Sequence, residues 1–327
     1  MPENIPQFVL TEEYPSSAVL DALLDTDDQL VRLDERIRAS PVGRACAQRL
    51  LYRNACAAMQ NQACMVYLED LVLLDGHSFS GVMYADLSAA LFILKLWQSA
   101  LAENAAGLLD ASMPGERERP LSGWVPVDPS LTRDRPDMFY DAEWDEAERL
   151  RRWRIVLQRT SRMPPLLAAA TIWDAWHTLQ PEQQGTWRAH LLASLVLRAR
   201  GKTRQLLLPL DHGQRLCRKG WRAVDDASTR ILTVFEIVRA AIKGCATELD
   251  GLASAKERMS FKLGDVQKNS RLPQLVDLLI AKPLVSIPFA AKALGVSQHA
   301  VRKMLPKLGS TPREISDRLR YRCWTVP

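Results

Sequence analysis

One stretch near the end of the chain constrains its fold more than any other, because it has the pattern of two short helices joined by a tight turn. It reads SIPFAAKALGVSQHAVRKMLPKL over residues 286–308. Ser286 and Ser297 are each placed to cap a helix, since a serine hydroxyl accepts a backbone N–H of the first turn. Gly295 lies between the predicted helices, where glycine tolerates the positive φ of a sharp turn. The pattern is typical of a helix-turn-helix, whose second helix enters the major groove of DNA.

The second helix of this motif is expected to have a buried and a polar face. Val301, Met304 and Leu305 fall at i, i+3 and i+4, the spacing of one inward face. Pro306 should end or kink the helix after about two turns, because proline lacks the N–H that a helix interior needs. DNA contacts are therefore expected from its first half. The candidate DNA-binding residues of the motif are Ser297, Gln298, His299, Arg302 and Lys303.

The basic residues concentrate in the same part of the chain. The formal net charge is +5, but residues 271–327 carry +7 and the preceding residues carry −2. An acidic body joined to a basic end fits a phosphate-binding module, because each neutralised phosphate releases counterions. A solvated basic surface without a nucleic-acid partner is the alternative interpretation.

The end of the chain completes this motif as a winged helix-turn-helix domain over residues 270–327. A first helix is predicted at residues 272–280, and two short strands are predicted within residues 314–326, with Ile315 opposite Trp324. Arginines between these strands would project from the wing towards phosphates or the minor groove. The candidate DNA-binding residues of the wing are Arg318, Arg320 and Arg322.

The rest of the chain predicts a mainly α fold, so the fold class is a helical body followed by the winged domain. Residues 1–28 are predicted as a loose lead-in, because regular apolar periodicity begins at Leu30. Helical patterns fill residues 29–109 and 142–264, and these two regions are expected to pack together. Residues 110–141, rich in proline and alternating charge, are predicted as a linker or loop.

Several classes of site are not expected. The six cysteines form no C-x-x-C pair, which favours buried thiols over a metal site or a disulfide framework, and no cofactor is predicted. No apolar run suggests a membrane helix, which needs about 20 residues, and the acidic start lacks the pattern of a signal sequence. The expected location is the cytoplasm, without a membrane partner.

A basic cluster at residues 198–204 is the second candidate binding site. Gly201, Lys202 and Thr203 resemble the end of a phosphate-binding loop, but Val196 stands where a Walker A motif requires glycine. Nucleoside triphosphate binding is therefore not predicted. A basic helix end that offsets the helix dipole is one interpretation, and an anion or nucleic-acid backbone site is the other. The candidate anion-binding residues are Arg200, Lys202 and Arg204.

Several stretches carry a resemblance that covers nearly the whole chain. They are RLDERIRASP at 32–41, VYLEDLVL at 66–73, LRARGKTR at 197–204 and SRLPQLVDL at 270–278. These resemble a bacterial family, often found on rhizobial plasmids, that pairs a helical domain of unknown function with a C-terminal helix-turn-helix. Residues 281–301, followed by REISDRLRYRCW at 313–324, also resemble the winged helix that closes many Fic (filamentation induced by cAMP) proteins.

The Fic resemblance implies a divergent Fic-like body. Fic enzymes transfer a nucleotide monophosphate to a hydroxyl, using a histidine base and a phosphate-cradling loop in the motif HPFxDGNGR. That motif is absent from this sequence. His190 lies in an apolar pattern and His77 lacks a partnering nucleophile, so no catalytic residue is predicted and the protein is not expected to be an enzyme.

Three hypotheses for function stay open. In the first, the protein is a transcriptional regulator that binds double-stranded DNA, and its body serves homodimerisation or sensing. In the second, the body is a ligand-binding domain or derives from a Fic-like nucleotidyltransferase, and the winged helix is regulatory. In the third, the winged helix binds only protein.

Overall fold

A computed structural model describes residues 16–76, 81, 83–102, 144–182, 186–263, 270–315 and 323–326. The described part is mainly helical, as predicted. The helices are α1 (Ser17–Ala39), α2 (Gly43–Gln60), α3 (Leu68–Asp75), α4 (Ala85–Ala102), α5 (Glu146–Arg159), α6 (Pro165–Leu179), α7 (Trp187–Ala199), α8 (Leu210–Leu216), α9 (Ala227–Leu263), α10 (Leu272–Ala281), α11 (Ile287–Leu294) and α12 (Gln298–Met304). Short 3-10 turns follow α5 at Thr160–Arg162 and α12 at Leu305–Leu308, and the strands are β1 (Val285–Ser286), β2 (Arg313–Glu314) and β3 (Cys323–Thr325).

Helix α1 corrects the expectation of a loose lead-in up to residue 28. The helix begins at Ser17, and the Ser16 hydroxyl caps it by accepting the N–H of Val19 at 3.4 Å. Val19 and Leu23 extend the buried stripe of Leu30 towards the N-terminus. Asp21, Asp25 and Asp28 lie on the exposed face of the helix. The predicted linker at 110–141 lies outside the described residues.

The long helix α9 is the central strut of the body. It packs against α1, α2, α6, α8 and α10. Its apolar stripe is buried because neighbouring helices cover it on several sides, and Ile231, Cys245 and Leu252 are fully shielded from solvent. Tryptophans fill part of this core, with Trp153 and Trp173 almost completely buried.

One hydrophobic core runs from the body into the C-terminal domain. The same cluster of buried side chains contains Leu30 of α1, Val238 of α9, Leu275 of α10 and Val301 of α12. A second cluster lies among α2, α3 and α4 and includes Trp97. The regions predicted at 29–109 and 142–264 therefore pack together, and the C-terminal domain is joined to them by shared packing.

The C-terminal domain contains a small antiparallel sheet with strand order β1-β3-β2. Glu314, not Ile315, lies opposite Trp324, so the predicted register was wrong by one residue. The observed register turns Cys323 towards the core, where it is 4% exposed, and a one-residue slip would reverse that face. Strand β1 was not predicted, because two residues give no readable periodicity.

Helix α4 is, in the described part of the chain, the one helix long and apolar enough to cross a membrane by length and composition. The expectation of no such segment overlooked it. One face of α4 is nevertheless buried within the protein, including Leu87, Leu94 and Trp97, and its Lys95 pairs with Asp75. A core helix of a soluble protein passes the same test.

Candidate nucleic-acid interface

The turn between α11 and α12 has the geometry that its sequence predicts. The Ser286 hydroxyl accepts the N–H of Phe289 at 3.3 Å, and the Ser297 hydroxyl accepts the N–H of Ala300 at 3.2 Å. Gly295 ends α11 in the left-handed region with φ of 64°. The two caps satisfy N–H groups that a helix start leaves without partners, so both helix starts are well defined.

The inner faces of α11 and α12 fix the crossing of the two helices. Ala290 is fully buried and Ala291 is 8% exposed, which lets the backbones approach closely. Val301 of α12 and Leu305, the residue after α12, are both buried, as their spacing predicts. Met304 is partly buried and packs against the core. The orientation of α12 is therefore set by apolar packing.

The outer face of α12 is open to solvent. All five residues predicted to contact DNA from this motif are exposed. In the part of the chain that the structure describes, neither Arg302 nor Lys303 takes part in an ion pair, so their charges are available to a partner. The three wing candidates, Arg318, Arg320 and Arg322, lie outside the described residues. The exposed motif residues are Ser297, Gln298, His299, Arg302 and Lys303.

Pro306 has the effect expected of it. Helix α12 ends at Met304, and the chain continues as the 3-10 turn Leu305–Leu308 with the proline near its start. The turn packs against α9. The exposed face of α12 is therefore about two turns long.

Arg49 holds the C-terminal domain against the body, and the sequence reasoning missed it. This guanidinium is 1% exposed and binds Glu248 of α9 at 2.9 Å. Its remaining N–H groups donate to three backbone carbonyls of the C-terminal domain, those of Leu279, Lys282 and Val326, at 2.8–3.2 Å. In the sequence, only its position beside Leu50 and Leu51 in an apolar stretch indicated that this arginine is buried.

A second polar contact joins the same two parts of the protein. Lys282, which follows α10, donates to the Tyr52 hydroxyl at 2.6 Å and lies 3.3 Å from the carboxylate of Asp75. Burial tends to raise the pKa of Asp75, but hydrogen bonds from Lys95 and Tyr52 and the charge of Lys282 outweigh it, and the pKa is lowered. Asp75 therefore stays ionised and anchors both lysines.

The structure does not assemble the predicted anion site at Arg200, Lys202 and Arg204. Arg200 donates to the carbonyls of Thr160 and Met163, at 2.9 and 3.3 Å, and Lys202 pairs with Asp27 of α1. Two of the three cations therefore serve internal contacts that link neighbouring helices. The side chain of Arg204 is exposed to solvent.

The histidine considered for catalysis lies deep in the body. His190 is 1% exposed, and its Nδ1 is 3.1 Å from an oxygen of the fully buried Asp211. The ring of the neighbouring His177 packs against Trp173 at a tilt of 45°, and burial together with the charge of His190 lowers the pKa of His177 to about 3. Among the described residues, no group of three His, Cys, Asp or Glu side chains is arranged to hold a metal ion. His77 lies outside those residues.

Comparison with known proteins finds one matching region in the helical body and another in the C-terminal domain. Residues 138–264 match a family model described as "Protein of unknown function (DUF1612)", and residues 272–326 match the model of an HTH DNA binding domain. The chain is also similar to "Uncharacterized protein y4cF" of Sinorhizobium fredii, with 28% identity over 373 aligned positions that cover 95% of this chain and 97% of that protein. The predicted pairing of a helical domain of unknown function with a C-terminal helix-turn-helix is confirmed. The link to Fic proteins stays a prediction.

Proposed function

We propose that the protein is a transcriptional regulator that binds double-stranded DNA through α12. The exposed polar face of α12, held in a defined orientation by a buried inner face, is the observation that carries the proposal. Arg302 and Lys303 lie one after the other on that face without a carboxylate partner among the described residues. Such side chains suit base edges and phosphates of the major groove.

The small sheet supports a winged form of this domain. Strand β3 pairs with both β1 and β2, so residues 315–322 connect two neighbouring antiparallel strands. In a winged helix-turn-helix domain, the connection between two such strands is the position of the wing. Its arginines, at 318, 320 and 322, would add phosphate or minor-groove contacts.

In this proposal the helical body holds the DNA-binding domain in position, and a second copy of the chain is the proposed protein partner. Helix-turn-helix dimers bind two half-sites about 34 Å apart, one helical turn of DNA. A cytoplasmic location follows from a role in gene regulation. The proposal requires no catalytic step and no cofactor.

The test is a titration of duplex DNA with the wild-type protein and with the Arg302→Ala/Lys303→Ala variant. The duplex is first selected from a random library, because the operator sequence has to be found. We expect the variant to bind at least about tenfold more weakly and to show a shallower dependence of affinity on salt, since phosphate and base contacts are lost. Fluorescence anisotropy at several salt concentrations measures both quantities.

The matched control is Arg154→Ala/Arg159→Ala, which removes two exposed arginines from α5. It changes the net charge by the same amount and should leave the affinity within about twofold, because these arginines lie outside the DNA-binding domain. Equal affinities for wild type and the α12 variant would contradict the proposal and favour a domain that binds only protein.

A further inference from the structure

An open cleft lies between the helical body and the C-terminal domain. Its volume is about 450 Å³, and its walls come from α1, α2, α4, the end of α7 with the segment after it, and the end of α10. Cavities of roughly 300–1,000 Å³ are typical of small-molecule sites. The cleft is large enough for a metabolite and is separate from the outer face of α12.

The cleft is positively charged. Its lining includes Arg44, Arg198, Arg204 and Lys282 and contains no aspartate or glutamate. Arg44 and Arg204 are exposed, and neither guanidinium makes an ion pair or a side-chain hydrogen bond within the described residues. The guanidinium groups of Arg44, Arg198 and Arg204 have no carboxylate partner among the described residues, so the cleft would attract a bound anion.

Two of these arginines are held in place by the fold. The guanidinium of Arg198 donates to the carbonyls of Arg204 and Leu101, at 2.9 and 3.0 Å. The nearly buried carboxylate of Asp34 accepts the backbone N–H groups of Arg204 and Gln205 at 2.9–3.0 Å. The segment that carries Arg204 is therefore fixed at the edge of the cleft, although that side chain itself reaches into solvent.

The remaining lining adds hydrogen-bonding groups and an apolar floor. Gln48, one helical turn after Arg44, and Gln98 of α4 present amides to the cleft, while Ala47 and Leu51 form part of the floor. A ligand that satisfied all of these groups would carry a multiply charged oxyanion and a less polar portion. Guanidinium groups suit such a ligand, because they bind phosphate and carboxylate oxygens in pairs.

We propose that this cleft binds a small molecule carrying phosphate or carboxylate groups, through Arg44, Arg198 and Arg204. Lys282 lies at the C-terminal-domain side of the cleft, where its ammonium group already contacts Tyr52 and Asp75. The cleft is therefore lined both by the body and by the first helix of the DNA-binding domain. A duplex DNA backbone fits the cleft less well, because its lining is concave and includes buried floor residues.

The experiment is isothermal titration calorimetry of the full chain with pyrophosphate, adenosine monophosphate and citrate. Saturable binding of pyrophosphate or the mononucleotide identifies a phosphate ligand, and binding of citrate alone identifies a polycarboxylate. For the probe that binds, Arg44→Ala and Arg204→Ala should each raise Kd about tenfold, equivalent to about 1.4 kcal/mol. Both guanidinium groups are exposed and make no ion pair or side-chain hydrogen bond within the described residues, so the variants should fold.

Arg154→Ala is the control, because it removes an exposed arginine of α5 that does not line the cleft. It should leave Kd unchanged. The proposal is overturned if none of the three probes binds, or if Arg44→Ala and Arg204→Ala affect Kd no more than the control does. It is also overturned if these two variants weaken only duplex DNA binding, which would make the cleft part of the DNA-binding surface.

Discussion

At the scale of single residues, Arg49 shows how a buried charge joins two parts of this protein. Its guanidinium is 1% exposed and has a carboxylate partner in Glu248 and three carbonyl partners in the C-terminal domain. Burying such a charge is costly, and the cost is offset only when every donor finds an acceptor. A lysine could not replace it, because the three donors of one ammonium group cannot satisfy the four acceptors that the guanidinium fork reaches.

Arg49→Met should lower the free energy of unfolding by roughly 3–5 kcal/mol, the usual loss when one partner of a buried ion pair is removed. Urea denaturation followed by circular dichroism measures it. The control is Arg36→Met, whose pair with Asp250 is 2.6 Å long but whose side chains are 49% and 65% exposed. Surface pairs contribute about 1 kcal/mol or less. Similar losses for the two variants would show that the buried contacts of Arg49 are dispensable.

At the scale of the elements, the helix-turn-helix depends on local backbone chemistry. Ser286 and Ser297 begin α11 and α12, and Gly295 ends α11 with φ of 64°. No neighbouring atom lies within 4 Å of a Cβ placed at Gly295, so the conformation alone favours glycine there. The motif could be predicted from the sequence because each of these signals acts within a few residues.

Gly295→Ala should therefore cost about 1–2 kcal/mol of folding free energy through backbone strain, without a steric clash. Gly295→Asn should cost less, since asparagine adopts the left-handed region more readily. Thermal unfolding of the two variants beside wild type tests this order. A destabilisation by asparagine as large as that by alanine would indicate that the side chain, rather than φ, decides the effect.

At the scale of the whole molecule, the DNA-binding domain is built into the body. The shared core runs from α1 to α12, α10 and the turn after α12 pack on α9, and Lys256 of α9 pairs with Asp277 of α10 at 3.0 Å. Movements of the body should therefore reach the DNA-binding domain directly. This is the arrangement that a ligand in the basic cleft would need in order to affect DNA binding.

Because the domain shares its core with the body, we expect α10 and the middle of α9 to lose their backbone hydrogen bonds in the same unfolding event. Hydrogen exchange followed by mass spectrometry should give the two helices opening free energies within about 1 kcal/mol of each other, close to that of global unfolding. The exposed outer turn of α12 is the internal comparison and should exchange sooner by local fraying. An opening free energy for α10 several kcal/mol below that of α9 would mean that the domain unfolds independently.

The sequence by itself determined the helical class and the helix-turn-helix motif, because caps, turn glycine and apolar periodicity act over short distances. Only the tertiary structure decided which charges are available. Arg200 and Lys202, two of the candidate anion-binding residues, contact Thr160 and Asp27, whereas Arg204 and Arg44 both line the basic cleft. The partners of a charged side chain depend on contacts between residues far apart in the chain, and no local pattern records them.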